Sequence, residues 1–506
     1  MLNVRELTIK DYQHDLILVD DLSFTLNQND KIAIIGSEGS GKSTLLSVLK
    51  GDIASYVSIS GEIRRPKVVS FLDQNMLHKW RGFTIEELLQ TDLPRVVCEY
   101  NDVIIKLFDQ FDMNYFDIKD RLIDTFSGGE KVKIGLVKSL IVKPDLLLLD
   151  EPSNDLDFET LQFIEYFLKE ISIPVLFISH DQRLLENVCN GIIHLQHVHK
   201  KTIAKTKFLR VDYLEYKKLY IKHFESDKMI ARKQRADYDK KILKFRQIYD
   251  KVSHQQNITK NDYIGQLLKK KIRNLRSQEK RFLKEKEQFI EIPEKEEPMF
   301  IFFEDLGKQK TYKTHIDLDI KNFKLPNNEI IAEIKLVVRT GEKFVITGRN
   351  GVGKTSLLKY IYKELKASNK KVGYIPQNYD DILENNISAI NYLMKNQNKY
   401  DISKIRQILG TLGLKKAEMI KQINELSEGT KLKVILLKLV SNDYDILLLD
   451  EPTRNISPMN QDEIYDLFLN YQGALIAVSH DREFIDSVFD EIHELTNMGL
   501  KEINIH

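Results

Sequence analysis

Apolar residues fall along this chain in two distinct rhythms. The first is the short, nearly unbroken run: Ile32–Ile35, Leu146–Leu149 and Ile446–Leu449. Runs of this length without alternation predict strands buried on both faces, as inside a parallel sheet covered by helices. The run at 31–35 leads into a glycine-rich loop and then Leu45-Leu-Ser-Val-Leu49, so strand, loop and helix are predicted in succession. The second rhythm is helical. Tyr238, Ile242, Phe245, Tyr249 and Val252 are spaced 4, 3, 4, 3, and Leu268, Leu275, Phe282 and Phe289 recur every seven. Two antiparallel helices account for both sets. The first runs from about Tyr213 to Lys251 without Pro or Gly, about 60 Å at ~1.5 Å per residue, and the second from about Asp262 to Ile290, about 40 Å. Ser253–Asn261 is polar with no apolar stripe and is expected to form the turn at the hairpin tip.

The glycine-rich loop carries the first candidate chemistry. Gly36, Ser37, Glu38, Gly39, Ser40, Gly41, Lys42, Ser43 and Thr44 fit G-x-x-x-x-G-K-[ST]. Glycines let consecutive backbone N–H groups turn toward a phosphate, and the helix start adds its positive dipole end. Lys42 supplies a charge for outer phosphates, and the Ser43 hydroxyl suits Mg²⁺. The same stretch recurs as Gly348, Arg349, Asn350, Gly351, Val352, Gly353, Lys354, Thr355 and Ser356.

The repeat extends much further. Leu7–Tyr12 answers to Leu318–Phe323, and Val69–Gln74 to Gly373–Gln377. Phe126-Ser-Gly-Gly-Glu-Lys131 answers to Leu426-Ser-Glu-Gly-Thr-Lys431, Asp145–Pro152 to Asp445–Pro452, and Leu176–Asp181 to Ile476–Asp481. From Ser127 and Ser427 onward the offset is a constant 300. Two homologous α/β domains are expected, at 1–205 and 298–506, with a helical hairpin at 206–297 between them. Asp150 and Asp450 end buried strands at the edge where such sheets bind ligands, and are candidates to hold Mg²⁺. Glu151 and Glu451 are placed to orient or deprotonate an attacking water. His180 and His480 close the next strand, within reach of a terminal phosphate.

Charge changes the picture only for the hairpin. The whole chain is +1, yet residues 200–290 hold 27 Lys or Arg against 11 Asp or Glu, leaving the remainder about fifteen negative. A solvated spacer needs balanced charge, whereas this surplus suits a polyanion. The polar tip favours shape and phosphate contact over base reading. Two cysteines, Cys98 and Cys189, in apolar surroundings suit a reducing compartment. No apolar run approaches the length needed to cross a bilayer, and a cytoplasmic protein is expected.

With the phosphate loops, Gln74, Ser127, Gly128, Gly129, Glu130, Asp150, Glu151 and His180 in this order, the chain resembles the ABC-type ATPases. The resemblance implies an α/β fold of two tandem ABC-type P-loop domains joined by a long helical hairpin linker, in a monomer that closes as an intramolecular sandwich over two ATP. One site would join Lys42 with Ser427 and Gly429, the other Lys354 with Ser127 and Gly129. Tyr12 and Phe323 would stack on adenine, and Gln74 and Gln377 would join the Mg²⁺ sites. Two domains in one chain resemble the ABC-F group of ribosome-associated ATPases. Ser153-Asn-Asp-Leu-Asp157 lies close to that group's Thr-Asn-His-Leu-Asp, with a departure at Asp155. Thr453-Arg-Asn-Ile-Ser-Pro458 loses the Leu-Asp ending and is similar to the antibiotic-resistance, Lsa/Vga-like branch. Glu428 and Thr430 also depart from the first domain's Ser-Gly-Gly-Glu, so the two sites are expected to be unequal.

That resemblance implies binding to the exit site of the 70S ribosome, with the linker contacting 23S rRNA and P-site tRNA. The tip, about 247–263, would approach the peptidyl-transferase centre through Tyr249, Ser253, His254, Gln255, Gln256, Asn257, Ile258, Thr259 and Lys260. Protection against lincosamides, streptogramin A compounds and pleuromutilins would follow. Three rivals stay open: a housekeeping translation factor of the same group, the ATPase subunit of a membrane transporter, and a DNA-repair or chromosome ATPase. The basic hairpin argues against the transporter, and the lack of longer coiled coils or zinc-binding cysteines against the DNA ATPase.

Overall fold

A computed structural model describes residues 1–73, 79–92, 101–154, 156–198, 203–258, 262–287, 289, 314–325, 329–396, 400–454 and 456–503. Gln74, Cys98, Asp155, Thr259 and Lys260, singled out above, lie outside them. The chain divides into two compact units: Met1–Tyr213 with Glu296–His506, and Leu214–Lys295.

In the larger unit the repeat is visible as topology. Its first half contains β1 (Leu2–Asp11), β2 (Leu16–Leu26), β3 (Lys31–Gly36), β4 (Val57–Arg64), β5 (Val69–Leu72), β6 (Leu146–Asp150), β7 (Val175–Ile178), β8 (Gly191–Val198) and β9 (Ile203–Leu209). Its second half contains β10 (Thr314–Lys324), β11 (Ile330–Arg339), β12 (Lys343–Thr347), β13 (Val372–Ile375), β14 (Ile446–Asp450), β15 (Ala474–Val478), β16 (Glu491–Thr496) and β17 (Gly499–Ile503). Six strands of each half pair in one order, β5-β6-β7-β3-β8-β9 and β13-β14-β15-β12-β16-β17. In both sheets only the last strand is antiparallel. Smaller antiparallel sheets, β2-β1-β4 and β10-β11, accompany them.

The apolar runs explain the placement of the central strands. Every residue of β3, β6 and β14 is buried. Removing each of the leucines 146–149 from water contributes roughly 1.5–3 kcal/mol of transfer free energy. The order also puts β3 and β12 between parallel neighbours, so each phosphate loop leaves the middle of a sheet beside the acidic ends of β6 or β14. Cys189 is buried, and burial pushes its thiol up to about 12.

The smaller unit is a helical hairpin of α5 (Tyr213–Ile258) and α6 (Asp262–Glu287). Ring pairs run in opposite sequence directions along it: Tyr238 with Phe289 at 5.4 Å and Phe245 with Phe282 at 5.8 Å, both edge to face. Val252 and Leu275 continue the same seam. Lys241 bridges to Glu285 at 2.5 Å.

One expectation is corrected here. Ser253, His254, Gln255, Gln256, Asn257 and Ile258 are helical, so α5 reaches about 69 Å at ~1.5 Å per residue. The physical reason is the seam itself: Gln256, four residues after Val252, stays half-buried on the same face, and no Gly or Pro stops the helix. Replacing Phe245 by alanine is expected to lower the local stability of the hairpin by about 3 kcal/mol. Amide hydrogen exchange across α5 and α6 would read this as lost protection confined to the two helices.

Candidate nucleotide sites

Each phosphate loop is built from the same parts. The loop after β3 ends on α1 (Lys42–Lys50), whose N-cap Gly41 has φ 93°, and the loop after β12 ends on α7 (Lys354–Ala367) behind Gly353 at φ 105°. The opening glycine is required sterically as well. A Cβ on Gly36 would stand 2.4 Å from the Leu195 carbonyl oxygen, and one on Gly348 would stand 2.5 Å from that of Leu495. Both lysines fold back onto their own loops. Lys42 Nζ donates to the Gly36 and Ser37 carbonyls at 2.9 Å, and Lys354 Nζ to those of Gly348 and Arg349 at 2.7 and 3.0 Å. Burial lowers the Lys354 ammonium, against the raising effect of Glu451, Asp157 and Asp450.

The acidic strand ends face these loops. Burial raises Asp150 to about 6, and Asp450 likewise to about 6. Ser43 hydrogen-bonds Asp150, and Thr355 Oγ1 donates to Asp450 Oδ1 at 3.1 Å. On each aspartate one carboxylate oxygen, Asp150 Oδ1 and Asp450 Oδ2, is buried with no hydrogen-bond partner. A buried carboxylate oxygen left without a donor, next to a hydroxyl, is the donor set of a Mg²⁺ site, so the residues fit the ion.

Glu151 and Glu451 follow these strands in left-handed backbone, at φ 52° and 50°. Such φ values are uncommon outside glycine and concentrate at functional sites. Glu151 lies 3.5 Å from His180 Nε2 and accepts from Asn154 Nδ2. Burial alone would raise its carboxyl, but the hydrogen bonds and charges of His180, Lys42 and Asn154 outweigh it and hold it below the ordinary range. Glu451 lies 3.9 Å from His480 Nε2. Burial, reinforced by Lys354, pushes His480 down to about 3, so at neutral pH this is a contact of a carboxylate with an uncharged ring, not an ion pair.

The fold also brings each loop to the opposite half. A cavity of about 470 Å³ is lined by Asn350, Gly351, Gly353, Lys354, Thr355, Ser356, Gln377, Asp450, Glu451 and His480 together with Gly128, Ser153 and Asn154 of the first half. A second, of about 910 Å³, joins Glu38, Gly39, Gly41, Lys42, Ser43, Thr44 and Glu151 with Gln377 and Glu428 of the second half. Gly128–Ile141 forms α2, with Ser127 as N-cap. The Ser127 Oγ accepts from Glu130 N at 3.2 Å while Glu130 Oε2 accepts from Ser127 N at 2.7 Å, a reciprocal capping box. Gly129 is close-packed, since a Cβ there would meet Thr160 Oγ1 at 2.4 Å. On the other side Glu428–Val440 forms α8 behind Ser427, and Thr430 stands where a glutamate would close the box. Gly429 N instead donates to Glu38 Oε2 at 2.9 Å.

Some expected residues sit differently. Phe323 lies within β10, partly buried, with its ring 5.4 Å from and edge-on to Tyr360; it is a packing residue here, not an open platform. Tyr12 is 64% exposed just past β1, while Asp11, His14 and Tyr56 line the cavity at that end. Arg349 is exposed and lies 3.6 Å from Glu159 of the first half. Val352 packs against the core around β12, and Ser40 is buried.

Sequence reading missed three groups. Asn154 and Arg454, matched by the offset of 300, line both cavities. Asp157 caps α3 (Phe158–Glu170) and its charge reaches Lys354 and His480 of the second half. The third is the seam between α4 (Gln182–Val188) and α10 (Arg482–Val488), with α9 (Gln461–Leu469) beside it. There His180 Nδ1 meets the Ile456 carbonyl at 3.0 Å, and Gln461 Nε2 donates to the His180 carbonyl at 3.0 Å. The constant offset matches their positions in the two halves but gives no sign of the contacts they make.

Comparison with known proteins agrees with this geometry. The family model described as ABC transporter matches residues 19–154 and 331–454, more than half of the chain. The chain is 27% identical to the ribosome protection protein VmlR of Bacillus subtilis, covering 97% of this chain and 86% of the relative. It is 24% identical to ABC transporter F family member 5 of Arabidopsis thaliana, covering 96% and 74%. Its fold is similar to the archaeal ribosome recycling factor aABCE1, solved with the stalk protein aP1, at TM-score 0.59 and 15% identity over 98% and 90% of the two chains. Among the described residues no helix is long and apolar enough to cross a membrane. The chain belongs to the ABC transporter family, as an ATP-hydrolysing member with two tandem ATPase domains of the ABC-F kind.

Proposed function

We propose that this ATPase is a ribosome-protection factor: it closes on ATP, holds its basic hairpin in the ribosomal exit site, and lowers the effect of drugs bound near the peptidyl-transferase centre. The observation that carries the reading is the hairpin. Two helices of about 69 and 39 Å stand in a segment whose surplus of sixteen positive charges fits an RNA phosphate surface. The similarity along nearly the whole chain to a protein named for ribosome protection supports the drug-related part.

In this reading each ATP lies between one phosphate loop and the opposite helix start. Lys42 and Lys354 exchange their loop carbonyls for phosphate oxygens. Asp150 and Ser43, or Asp450, Thr355 and Gln377, would hold a Mg²⁺ ion, which would supply charge neutralisation at the phosphates. Glu151 and Glu451 orient a water and take up its proton. His180 and His480 hold those carboxylates by the contacts described.

The test uses the full chain with Glu151→Gln and Glu451→Gln together, which should bind ATP without turnover. Purified ribosomes are pelleted with it, with and without ATP, and drug-challenged translation is then measured with the unsubstituted chain, which turns ATP over. ATP-dependent co-pelleting and restored translation are expected. Loss of co-pelleting would overturn the ribosome reading, and co-pelleting without restored translation would overturn drug protection while leaving a translation factor.

A further inference from the structure

Among the matched positions at which the two phosphate loops differ, one carries a charge in the first loop alone, Glu38 against Asn350. Glu38 does not point into solvent. Its Oε2 accepts from the backbone N–H of Gly429, 2.9 Å away in the first turn of α8 on the opposite half. In α2 the capping box engages two other donors, Glu130 Oε2 accepting from Ser127 N and Ser127 Oγ from Glu130 N, and the loop opposite carries the neutral Asn350 in place of Glu38. In α8 the Thr430 side chain sits 3.0 Å from Ser427 Oγ, and Glu428 is drawn to Lys431 at 2.8 Å, which Asp380 also holds at 3.0 Å. The helix start thus offers an N–H that its own residues leave to an anion from across the interface, and the residue that answers is part of the phosphate loop itself.

We infer that Glu38 is a nucleotide-discriminating residue that biases the Lys42 site toward the diphosphate, its carboxylate holding the helix-start donor that a terminal phosphate would claim. The inference rests on the composite-site reading above. A carboxylate at a helix N-terminus makes a charge-assisted hydrogen bond and is favoured by the dipole. ATP bound on the loop brings its terminal phosphate toward the same N–H and the same negative charge. ATP therefore binds only by displacing Glu38, whereas ADP leaves the contact intact. At Asn350 a neutral amide imposes no such competition. The consequence is a site that loads ATP only when ATP is in excess of ADP, opposite one without that competition. Because Glu38 is half-exposed, solvent screening limits the bias to about tenfold.

The test uses the full chain carrying Lys354→Ala, so that only the Lys42 site reports, and Glu151→Gln, so that nucleotide is not consumed. Displacement of a fluorescent adenine nucleotide gives the ratio of ATP to ADP affinity. Glu38→Gln is expected to move that ratio about tenfold toward ATP. In a chain carrying Lys42→Ala and Glu451→Gln instead, Asn350→Glu is expected to move it toward ADP, which keeps the question open to test should the first variant misfold. Ser427→Glu, which places a carboxylate on the α8 start, should also favour ADP at the Lys42 site. If Ser427→Glu shifts the ratio while Glu38→Gln and Asn350→Glu leave it within twofold, the composite site stands and the role of Glu38 is overturned. If none of the three shifts it, the composite site falls and the inference with it.

Discussion

Glutamine at position 451 is expected to remove more than nine-tenths of steady-state ATP turnover, while glutamine at 151 removes much less. Loss of a positioned general base costs about 10²–10⁴-fold at the site affected, so the difference between the two variants measures how turnover is divided. The faster site is expected at Lys354. The helix start opposite it is closed by the Ser127–Glu130 box, and Asp157 reaches across to Lys354 and His480. The Lys42 site faces α8, which lacks the box, and Ser457 stands where the offset would place a second aspartate. The assay is phosphate release by the full chain, with nucleotide binding measured alongside to show that both variants still load ATP. Equal losses from the two substitutions would contradict the assignment.

Arg482→Gln is expected to destabilise the larger unit by about 3–5 kcal/mol, the cost of leaving buried carboxylates without their cation. Arg482 is 6% exposed, and its Nη2 donates to Glu165 and, at 3.3 Å, to Asp181 of the other half. Its counterpart across the repeat is already a glutamine. Gln182 donates to the Pro458 carbonyl at 3.1 Å, and Tyr465, opposite in the place of Glu165, donates to Asp481 at 3.0 Å. At these matched positions one side carries a buried arginine–carboxylate pair and the other a glutamine and a tyrosine, while Arg183 beside Gln182 reaches Glu483 and Asp486 of α10 nearer the surface. Urea unfolding at pH 7 reads the loss, and replacing Glu165 by leucine with Arg482→Leu should recover most of it. The deficit should shrink as pH falls. Burial raises the folded-state pKa of Asp181 above its unfolded value, with Arg482 opposing the rise. A carboxyl raised in this way favours the folded state below its unfolded pKa and loses that contribution as pH rises through the folded value, and removing Arg482 widens that window. A deficit below about 1 kcal/mol at pH 7 would mean the seam carries no essential charge.

Much of the architecture was legible without coordinates. Apolar runs such as Leu146–Leu149 admit one environment, a strand covered on both faces, because exposing them would forfeit the burial that orders them. Gly36 and Gly348 are equally constrained, since the loop passes too close to the neighbouring strand for any Cβ. The seam of the hairpin followed from spacing because a helix repeats its faces every seven residues or so. Its end did not, since a polar stretch gives no signal of where a helix stops, and α5 runs on through Ser253–Ile258 with Gln256 half-buried.

The sequence by itself determined the repeat, the order of strand, loop and helix, and the identity of the phosphate-binding and acidic residues, because these depend on neighbours within a few positions. Tertiary structure alone decided which residues meet across the halves: Glu38 with Gly429, Asp157 with Lys354, Arg482 with Glu165. Such pairs lie hundreds of residues apart and are chosen by how two folded surfaces seat against each other, which no local rule of spacing or propensity encodes.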